Sequence, residues 1–200
     1  MKDWRSYFPL AEIRKEQEIA IDAVLDSLFN KKKKFFIGEF PVGTGKSAIS
    51  VTISKYLMDN YPIDNNKQSS FILTTQKILQ EQYIQDFPYL SNIKSKENYL
   101  CVNKKGMITC DIGLKLNKFL KKNNSNYDCV YMQHRRKFEL SQIGLTNMHF
   151  FLYNNAYSES KLPSRKILII DECHNLEQVL IDFASLDFTK YFANDILKIK

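Results

Sequence analysis

A glycine-rich loop followed by a lysine and a serine is the first feature of the sequence that could do chemistry. Between an apolar run and a helical segment stand Gly43, Thr44, Gly45, Lys46 and Ser47. Glycines allow backbone N–H groups to close around phosphate oxygens, and the start of the following helix adds a favourable field. We expect Lys46 to neutralise the β and γ phosphates of a nucleotide and Ser47 to offer its hydroxyl to Mg²⁺. The alternative is a chance Gly-Lys-Ser in a turn, which the flanking strand and helix disfavour.

Two adjacent acids form a second candidate site, because they directly follow an apolar run of strand length. The run covers residues 166–170, and Asp171, Glu172, Cys173 and His174 come after it. Beside a phosphate loop, Asp171 would hold Mg²⁺ and Glu172 would orient and deprotonate an attacking water. The other interpretation of the two acids is a helix cap. Cys173 is interpreted as a residue of the motif without a chemical role of its own, rather than as a metal ligand.

Alternating strands and helices must position these two loops. Apolar runs of strand length predict strands at residues 35–40, 70–74, 143–146 and 166–170. Helices are predicted at residues 11–29, 48–58, 76–86, 135–142 and 175–184. The apolar face of the first helix is predicted to include Ile19, Ala20 and Val24. The alternation is typical of an α/β fold with a parallel sheet, which binds ligands at the carboxyl ends of its strands.

The positive charge of the chain is concentrated in one segment. The 200 residues carry a formal net charge of +7, and residues 91–140 alone hold eleven Lys and Arg residues against four acids. Aromatic residues lie among these charges, at Tyr99, Phe119, Tyr127 and Tyr131. Such a segment suits a polyanion whose bases can stack on the rings. The alternative is a solvated, lysine-rich surface insertion.

The composition excludes several protein classes. Hydrophobic residues make up 44% and charged residues 26% of the chain, which is typical of a soluble globular protein. No apolar run approaches the about 20 residues that a membrane-spanning helix needs. Residues 1–5 lack the apolar stretch of a signal peptide. We therefore expect a protein without a membrane partner that is not secreted, and that is cytoplasmic in a bacterial or virus-infected cell, or nuclear.

Several segments in a fixed order resemble one known family. The box Asp171–His174 resembles the Asp-Glu-x-His box of superfamily 2 helicases, and other segments are similar to the XPD/DinG group of iron–sulfur DNA helicases. Those segments are the adenine-recognising stretch at residues 7–17, the first two ATPase motifs at 39–47 and 74–82, and the stretch after the cluster domain at 146–152. Phe40 departs from the first ATPase motif, which has a small residue at that place.

The resemblance implies a RecA-like P-loop NTPase domain with ATP and Mg²⁺ as its ligands. By this resemblance Ser47 and Asp171 hold the metal ion. The implied catalytic residues are Lys46, Asp171, Glu172 and His174. The implied contacts to adenine are Phe8, Arg14 and Gln17. Spacing alone favours another interpretation of Gln17, as an exposed helix residue.

The resemblance also implies single-stranded or forked DNA as a partner. The residues that it places near the nucleic acid are Thr75, Gln80, Lys104, Lys105 and Asn147. For Thr75 the alternative is an ordinary helix cap.

Three of the four cysteines fall where the family carries an iron–sulfur domain. They are Cys101, Cys110 and Cys129, whereas a cube-type cluster takes four thiolates. A ligand such as Asp111 or His134 could complete the site, or three cysteines could hold a cluster or Zn²⁺. The remaining alternative is a decayed site whose thiols are buried hydrophobic side chains.

The domain prediction has four parts. They are the first part of a RecA-like motor domain (1–90), a basic cysteine-containing insertion (91–140), the rest of the motor domain with the acidic box (141–176), and the start of an arch-like or C-terminal helical segment (177–200). The expected function is the ATP-binding half of an ATP-dependent DNA helicase, with weak hydrolysis unless a longer product or a partner chain supplies a second RecA-like domain. The alternative is a non-catalytic module that binds ATP or single strands.

Overall fold

Four parallel strands of the described residues form the sheet on which the fold is built. The computed structural model of the chain describes residues 3–60, 70–101, 107–119, 129–158 and 161–185. The strands are β1 (Ser70–Thr74), β2 (Ser91–Ile93), β3 (Ile143–Asn147) and β4 (Ile167–Ile170). They lie in the order β2-β3-β1-β4, and all neighbours pair in parallel. The predicted α/β fold with a parallel sheet is confirmed.

The register of the sheet brings the carboxyl ends of three strands to one edge. Thr74 of β1 pairs with Asn147 of β3, and Leu73 of β1 pairs with Ile170 of β4. Every residue of β1 and β3 is buried, as expected for central strands with helices on both faces. In β4, Leu168 is 44% exposed, and among the described strands this one pairs with β1 alone. The segments that follow β1 and β4 therefore emerge side by side.

Helices cover both faces of the sheet. In the described residues they are α1 (Lys15–Leu25), α2 (Lys46–Asn60), α3 (Lys77–Asp86), α4 (Cys110–Phe119), α5 (Val130–Leu140), α6 (Met148–Ala156) and α7 (Leu176–Ala184). One side of α2 packs with α1 in a cluster that includes Trp4, Ile21 and Ile53. Another side of α2 places Ala48 and Val51 in a cluster with residues of β1 and β3. This central position explains why α2 is apolar on most sides.

Aromatic rings make much of the core on the other face of the sheet. Phe71 of β1 stacks on Phe138 of α5 with ring centroids 5.6 Å apart, and it meets Phe151 of α6 edge-on at 5.4 Å. Gly144 of β3 leaves room for the stack, since a Cβ there would lie 2.8 Å from the Phe138 ring. Each such pair contributes about 0.5–1.5 kcal/mol beyond its buried area. The packing fixes α5 and α6 against the sheet.

The first apolar run, residues 35–40, does not form the predicted strand. It is irregular, and Phe35 and Ile37 are 84% and 86% exposed. The ring of Phe40 folds over Gly38, where a Cβ would lie 2.5 Å from the ring. Glycine inside a strand weakens it, and here local ring packing takes the place of cross-strand pairing. The prediction was wrong because an apolar run does not by itself specify a pairing partner.

The first helix is confirmed but is shorter than predicted. A π-helical turn at Asp26–Asn30 follows α1. The buried face of α1 consists of Gln17, Ala20, Ile21 and Val24, so Ile19 was wrongly assigned to it and is exposed. Gln17, which spacing alone indicated as an exposed helix residue, lies on this buried face.

Three elements were missed by the sequence analysis. No strand or helix was predicted between residues 91 and 134, but this segment begins with β2 and contains α4. At three residues, β2 is too short to show an alternating pattern. Helix α6 was not predicted either, and its cap is Asn147, whose side chain accepts a hydrogen bond from the Phe150 N–H at 2.8 Å. Residues 186–200, most of the predicted arch-like segment, lie outside the described residues.

A largely buried arginine ties the amino ends of the strands to α5. The guanidinium of Arg165 donates to the backbone oxygens of Ser70 at 3.2 Å, Gln142 at 2.8 Å and Phe138 at 2.9 Å. Within the described residues its partners are uncharged oxygens rather than carboxylates. Burial lowers the pKa of Arg165 to about 10, so the side chain is still charged at neutral pH. It stabilises the edge of the sheet opposite the two motif loops.

The substitution Arg165→Met is expected to lower the free energy of unfolding by about 2–4 kcal/mol, because buried oxygens lose their donor. Arg165→Lys should recover only part of this loss, since an ammonium group lacks the planar fork that reaches several oxygens at once. Urea unfolding followed by circular dichroism measures both changes. Arg136→Met, at an exposed position of α5, is the matched control. If Arg165→Met were as stable as this control, the bridging role would be wrong.

Candidate active site

The two motif loops meet at the carboxyl edge of the sheet. Lys46 is the first residue of α2, and Glu172 comes two positions after the end of β4. Lys46 Nζ lies 2.6 Å from Glu172 Oε1, although 126 positions separate the two residues in the sequence. Ser47, the second residue of α2, is half-buried beside them. The fold therefore assembles the phosphate loop and the acidic box into one site.

The glycines of the phosphate loop adopt conformations that other residues rarely take. Gly43 has φ = 84° and Gly45 has φ = 76°, both in the left-handed region that favours glycine. Between them, the hydroxyl of Thr44 donates to the backbone oxygen of Pro41 at 2.9 Å. This turn delivers the chain to the start of α2, where the first N–H groups of the helix have no partner within it. Those N–H groups can bind an anion.

Two side chains at the start of α1 hold the phosphate loop through its backbone oxygens. One belongs to the N-cap residue Arg14 and the other to Gln17 of the helix itself. Gln17 Nε2 donates to the Thr44 backbone oxygen at 2.8 Å, and Arg14 Nη1 donates to that of Gly43 at 2.7 Å. The other end of the Gln17 amide accepts from the Arg14 N–H at 2.9 Å. A Cβ at position 45 would lie 2.5 Å from Gln17 Nε2, so only Gly45 fits there. Gln17 is 2% exposed, which makes the exposed-residue interpretation wrong.

The contacts to adenine stay a prediction. Arg14 and Gln17 lie next to the phosphate loop, and the described contacts of Gln17 hold that loop rather than face solvent. Phe8 is half-buried and packs against the two core clusters on either side of α2. Of the three residues, Arg14 and Gln17 are therefore the ones with described contacts to the loop.

Asp171 is held by hydrogen bonds from three directions. Its backbone N–H donates to the Leu73 backbone oxygen at 2.9 Å and extends the pairing of β4 with β1. Its Oδ1 accepts from the Glu172 N–H at 3.0 Å, and its Oδ2 accepts from the Tyr83 hydroxyl at 3.1 Å. One donor on each carboxylate oxygen leaves a lone pair on both oxygens. A hard cation such as Mg²⁺ binds oxygen ligands of this kind.

Glu172 occupies an unusual backbone conformation for a residue with a side chain. Its φ of 54° and ψ of 45° lie in the left-handed region, which persists only where surrounding contacts hold it. Its Oε1 binds Lys46, and its Oε2 lies 3.2 Å from Nδ1 of the exposed His174. The hydrogen bond from Lys46 lowers the pKa of Glu172, and Glu172 in turn raises the pKa of Lys46. The pair is therefore fully charged at neutral pH.

The predicted nucleic-acid residues have different surroundings in the structure. Thr75 lies between β1 and α3, and its Oγ1 is buried without a hydrogen-bond partner in the described residues. Gln80 is fully buried and donates to the Ile93 backbone oxygen at 2.9 Å, so a contact to nucleic acid would require it to leave the core. Asn147 is a helix cap. Lys104 and Lys105 lie outside the described residues.

The three cysteines of the basic segment lie near one another. Cys110 Sγ and Cys129 Sγ are 3.8 Å apart, and Cys101 is close enough to act on the titration of Cys110. Burial raises the pKa of the Cys110 thiol. In the described parts of the chain, no group of three or more His, Cys, Asp or Glu side chains is arranged to hold a metal ion. The metal site therefore stays a prediction, and only one pair of sulfurs has the required proximity.

Tyr83 and the loop-holding role of Gln17 were missed by the sequence analysis. Tyr83 lies on the helix predicted at residues 76–86, but nothing in its spacing indicates that its hydroxyl reaches Asp171, 88 positions later at the end of a strand. For Gln17, the available signal is its place on the face of α1 that also carries Ala20 and Val24. A polar residue at a core position indicates a fixed hydrogen-bond partner.

The substitution Glu172→Gln is expected to strengthen the binding of ADP without Mg²⁺ by about two- to fivefold, which corresponds to the about 0.5–1 kcal/mol of a partly exposed ion pair. The gain arises because Lys46 no longer has to leave a charged partner before it meets a phosphate. It should be constant from about pH 6 to pH 9, since the lowered pKa of Glu172 and the raised pKa of Lys46 keep the wild-type pair charged throughout. Isothermal titration calorimetry measures it, with Glu177→Gln as the exposed control. Equal ADP affinities of the wild type, Glu172→Gln and Glu177→Gln would show that Glu172 does not compete with the phosphate for Lys46.

A protein-family comparison agrees with this geometry. The family model described as type III restriction enzyme, res subunit, matches residues 10–197. It supports the helicase-like, ATP-binding P-loop domain that the sequence implied, but it does not support the narrower XPD/DinG iron–sulfur group. A comparison with curated proteins found no match. No helix in the described ranges is long and apolar enough to cross a membrane. The chain belongs to the type III restriction enzyme res subunit family, and it is a helicase-like P-loop domain with a RecA-like α/β fold.

Proposed function

We propose that this chain is the ATP-binding half of a DNA helicase motor that couples ATP hydrolysis to movement along a single strand. The observation that carries the proposal is the meeting of Lys46 with Glu172, beside Asp171, at the carboxyl edge of the sheet. A lysine at a helix start supplies positive charge to phosphates, and the acids supply a metal ligand and a base. Their convergence at the edge where parallel sheets bind ligands favours nucleotide chemistry over a structural ion pair.

The site residues divide the chemistry among them. Mg²⁺, when bound, neutralises charge that develops on the phosphates, and Ser47 and Asp171 are the residues that would hold it. Lys46 would bind the β and γ phosphates, together with the N–H groups at the start of α2. Glu172 would orient an attacking water and accept its proton. His174 lies against the second oxygen of Glu172 and would help to direct that carboxylate.

In this proposal, Lys46 exchanges its bond to Glu172 for a bond to the nucleotide phosphate before the nucleotide is hydrolysed. In the structure Lys46 is engaged by Glu172, so the base and the phosphate ligand neutralise each other. Binding of the γ phosphate would draw Lys46 away and release Glu172 for water. This order of events prevents the base from acting before the nucleotide is seated.

A second RecA-like domain, from a longer product or a partner chain, belongs to the proposal. Val42 of the phosphate loop is almost fully exposed, and His174 is also exposed. This exposed side of the site leaves space for a second RecA-like domain, which would contribute an arginine side chain to the phosphates. Without that arginine, hydrolysis is slower by orders of magnitude.

Single-stranded DNA is the proposed track. The described part of the basic segment presents Lys115, Arg136 and Lys137 as exposed residues. Thr75, with its unpaired buried oxygen, lies at the carboxyl edge near the start of α3. Binding through such lysines and arginines is expected to weaken steeply with salt, because phosphate contacts release counterions.

The substitution Lys46→Ala is expected to weaken ADP binding by about ten- to a hundredfold, the equivalent of the about 1.5–3 kcal/mol of a hydrogen bond to a charged group. Lys55→Ala, on the same helix but at the Tyr89 ring, is the matched control and should bind as the wild type does. A fluorescent ADP analogue reports the affinities. ATP hydrolysis with and without single-stranded DNA completes the experiment.

The outcomes separate the motor from its alternative. Nucleotide binding that survives Lys46→Ala would refute the proposed site. Hydrolysis that single strands stimulate supports the motor. Binding of ATP or single strands without any DNA-stimulated turnover, even when a second RecA-like domain is supplied, would instead favour a non-catalytic module.

The cysteine cluster supports a second, separate function as a metal site. Two thiolates on one tetrahedral Zn²⁺ lie about 3.8 Å apart, given Zn–S bonds of about 2.3 Å, and the Cys110 and Cys129 sulfurs have this separation. Cys101, which is also buried, would be the third ligand of this proposed site, whose full ligand set is not assembled in the described residues. A bound cation would also deprotonate Cys110, whose pKa burial otherwise raises.

Protein purified anaerobically without chelators is expected to contain bound zinc, or iron with sulfide. Cys110→Ser and Cys129→Ser should each lose it, because the two sulfurs share the cation. Cys173→Ser, at the exposed cysteine of the acidic box, is the control and should keep the full content. Elemental analysis and a sulfide assay give the readout. Wild-type protein without zinc, iron or sulfide would leave these cysteines as buried thiols.

A further inference from the structure

Tyr83 connects helix α3 with the carboxylate at the end of β4. Its ring is 3% exposed and packs in the core cluster with Ala48 and Val51 of α2. Its hydroxyl emerges from that cluster and donates to Asp171 Oδ2 at 3.1 Å. A phenylalanine would fill the same space in this apolar core, but it could not make the hydrogen bond to Asp171.

The hydroxyl of Tyr83 donates to Asp171 and also lies within hydrogen-bonding reach of Ser50 of α2. Ser50 belongs to the helix that begins with Lys46 and Ser47, so the hydroxyl lies where α2, α3 and β4 meet.

The hydrogen bond fixes which way the Asp171 carboxylate faces. One of its oxygens is held by the Glu172 N–H and the other by Tyr83. Without Tyr83 the group could turn about its terminal bond, because that torsion has a broad energy profile. Hydrogen-bonded partners of a metal ligand orient it, and their loss typically weakens metal binding by about ten- to a hundredfold.

We propose that Tyr83 is a positioning residue that holds Asp171 in the orientation required for the metal ion of the nucleotide site, and thereby ties that site to helix α3. The proposal rests on the proposed function, since it assumes that Asp171 serves a nucleotide-bound metal ion. Tyr83 itself contacts neither the nucleotide nor the metal ion. Any displacement of α3 along its axis would move the hydroxyl relative to Asp171 and so change metal affinity.

The probe for the proposal is Mn²⁺, whose binding to the ADP-saturated protein is followed by electron paramagnetic resonance. Tyr83→Phe is expected to weaken Mn²⁺ binding by about tenfold or more. ADP affinity without metal should stay within about twofold, because Lys46 and the phosphate loop are untouched. Tyr131→Phe is the matched control: it also removes the hydroxyl of a buried tyrosine, but one beside Arg135 and far from the site.

A double-mutant cycle with Asp171→Asn separates positioning from a general loss of structure. Once the carboxylate is gone, Tyr83→Phe should cause no further loss of Mn²⁺ affinity. A further loss of the same size in the Asp171→Asn background would overturn the proposal, as would an equal effect of Tyr131→Phe. If Tyr83→Phe does not fold, Ser50→Ala, which leaves the Tyr83–Asp171 bond in place, is expected to keep Mn²⁺ affinity within about twofold of the wild type, and a loss of about tenfold would overturn the proposal.

The same measurements distinguish the two proposals. Wild-type protein that binds neither ADP nor Mn²⁺ would refute the proposed function and this inference together. Wild-type protein that binds both, with a Tyr83→Phe variant of unchanged Mn²⁺ affinity, would refute the inference alone.

Discussion

The ion pair between Lys46 and Glu172 joins the two halves of the site across the carboxyl edge of the sheet. Lys46 begins α2, and Glu172 follows the end of β4 in a left-handed conformation. A residue held in that region costs roughly 1–3 kcal/mol, which the bonds to Lys46 and from the Glu172 N–H to Asp171 offset. The phosphate loop and the acidic box are therefore held together by this pair, and the charges of Lys46 and Glu172 neutralise each other.

Side chains outside the motifs maintain this arrangement. Arg14 and Gln17 hold carbonyl groups of the phosphate loop from the side of α1, so its glycines can keep their left-handed conformations without a ligand. On the other side, Tyr83 and the Leu73 carbonyl hold Asp171. Each loop thus has its own support, and the ion pair is the direct bond between them. Because both supports are hydrogen bonds from residues that the fold holds in place, less ordering of the site is left for ligand binding to achieve.

Much of the fold and the identity of the motif residues could be predicted from the sequence. The apolar runs of β1, β3 and β4 are bounded by polar residues, and the loop and acidic-box residues have side chains whose chemistry is specific. Residues 35–40 were predicted wrongly because strand formation depends on a partner, which a local pattern does not contain. The roles of Gln17, Gln80 and Tyr83 depend on which neighbour each side chain meets across the fold. Those neighbours are set by the packing of α1, α3 and β4. Helical spacing indicates only that Gln17 shares a face of α1 with Ala20 and Val24, and not which group it bonds.

In the part of the chain that the structure describes, β4 is an outer strand of the sheet. Its backbone pairs with β1 on one side. A sheet edge of this kind offers a row of backbone donors and acceptors to any extended chain that approaches it. In the cell, that edge is a place where another extended segment can add to the sheet, and in concentrated solution it is where two copies can aggregate. Solubility of the isolated chain will therefore depend on how well this edge is covered.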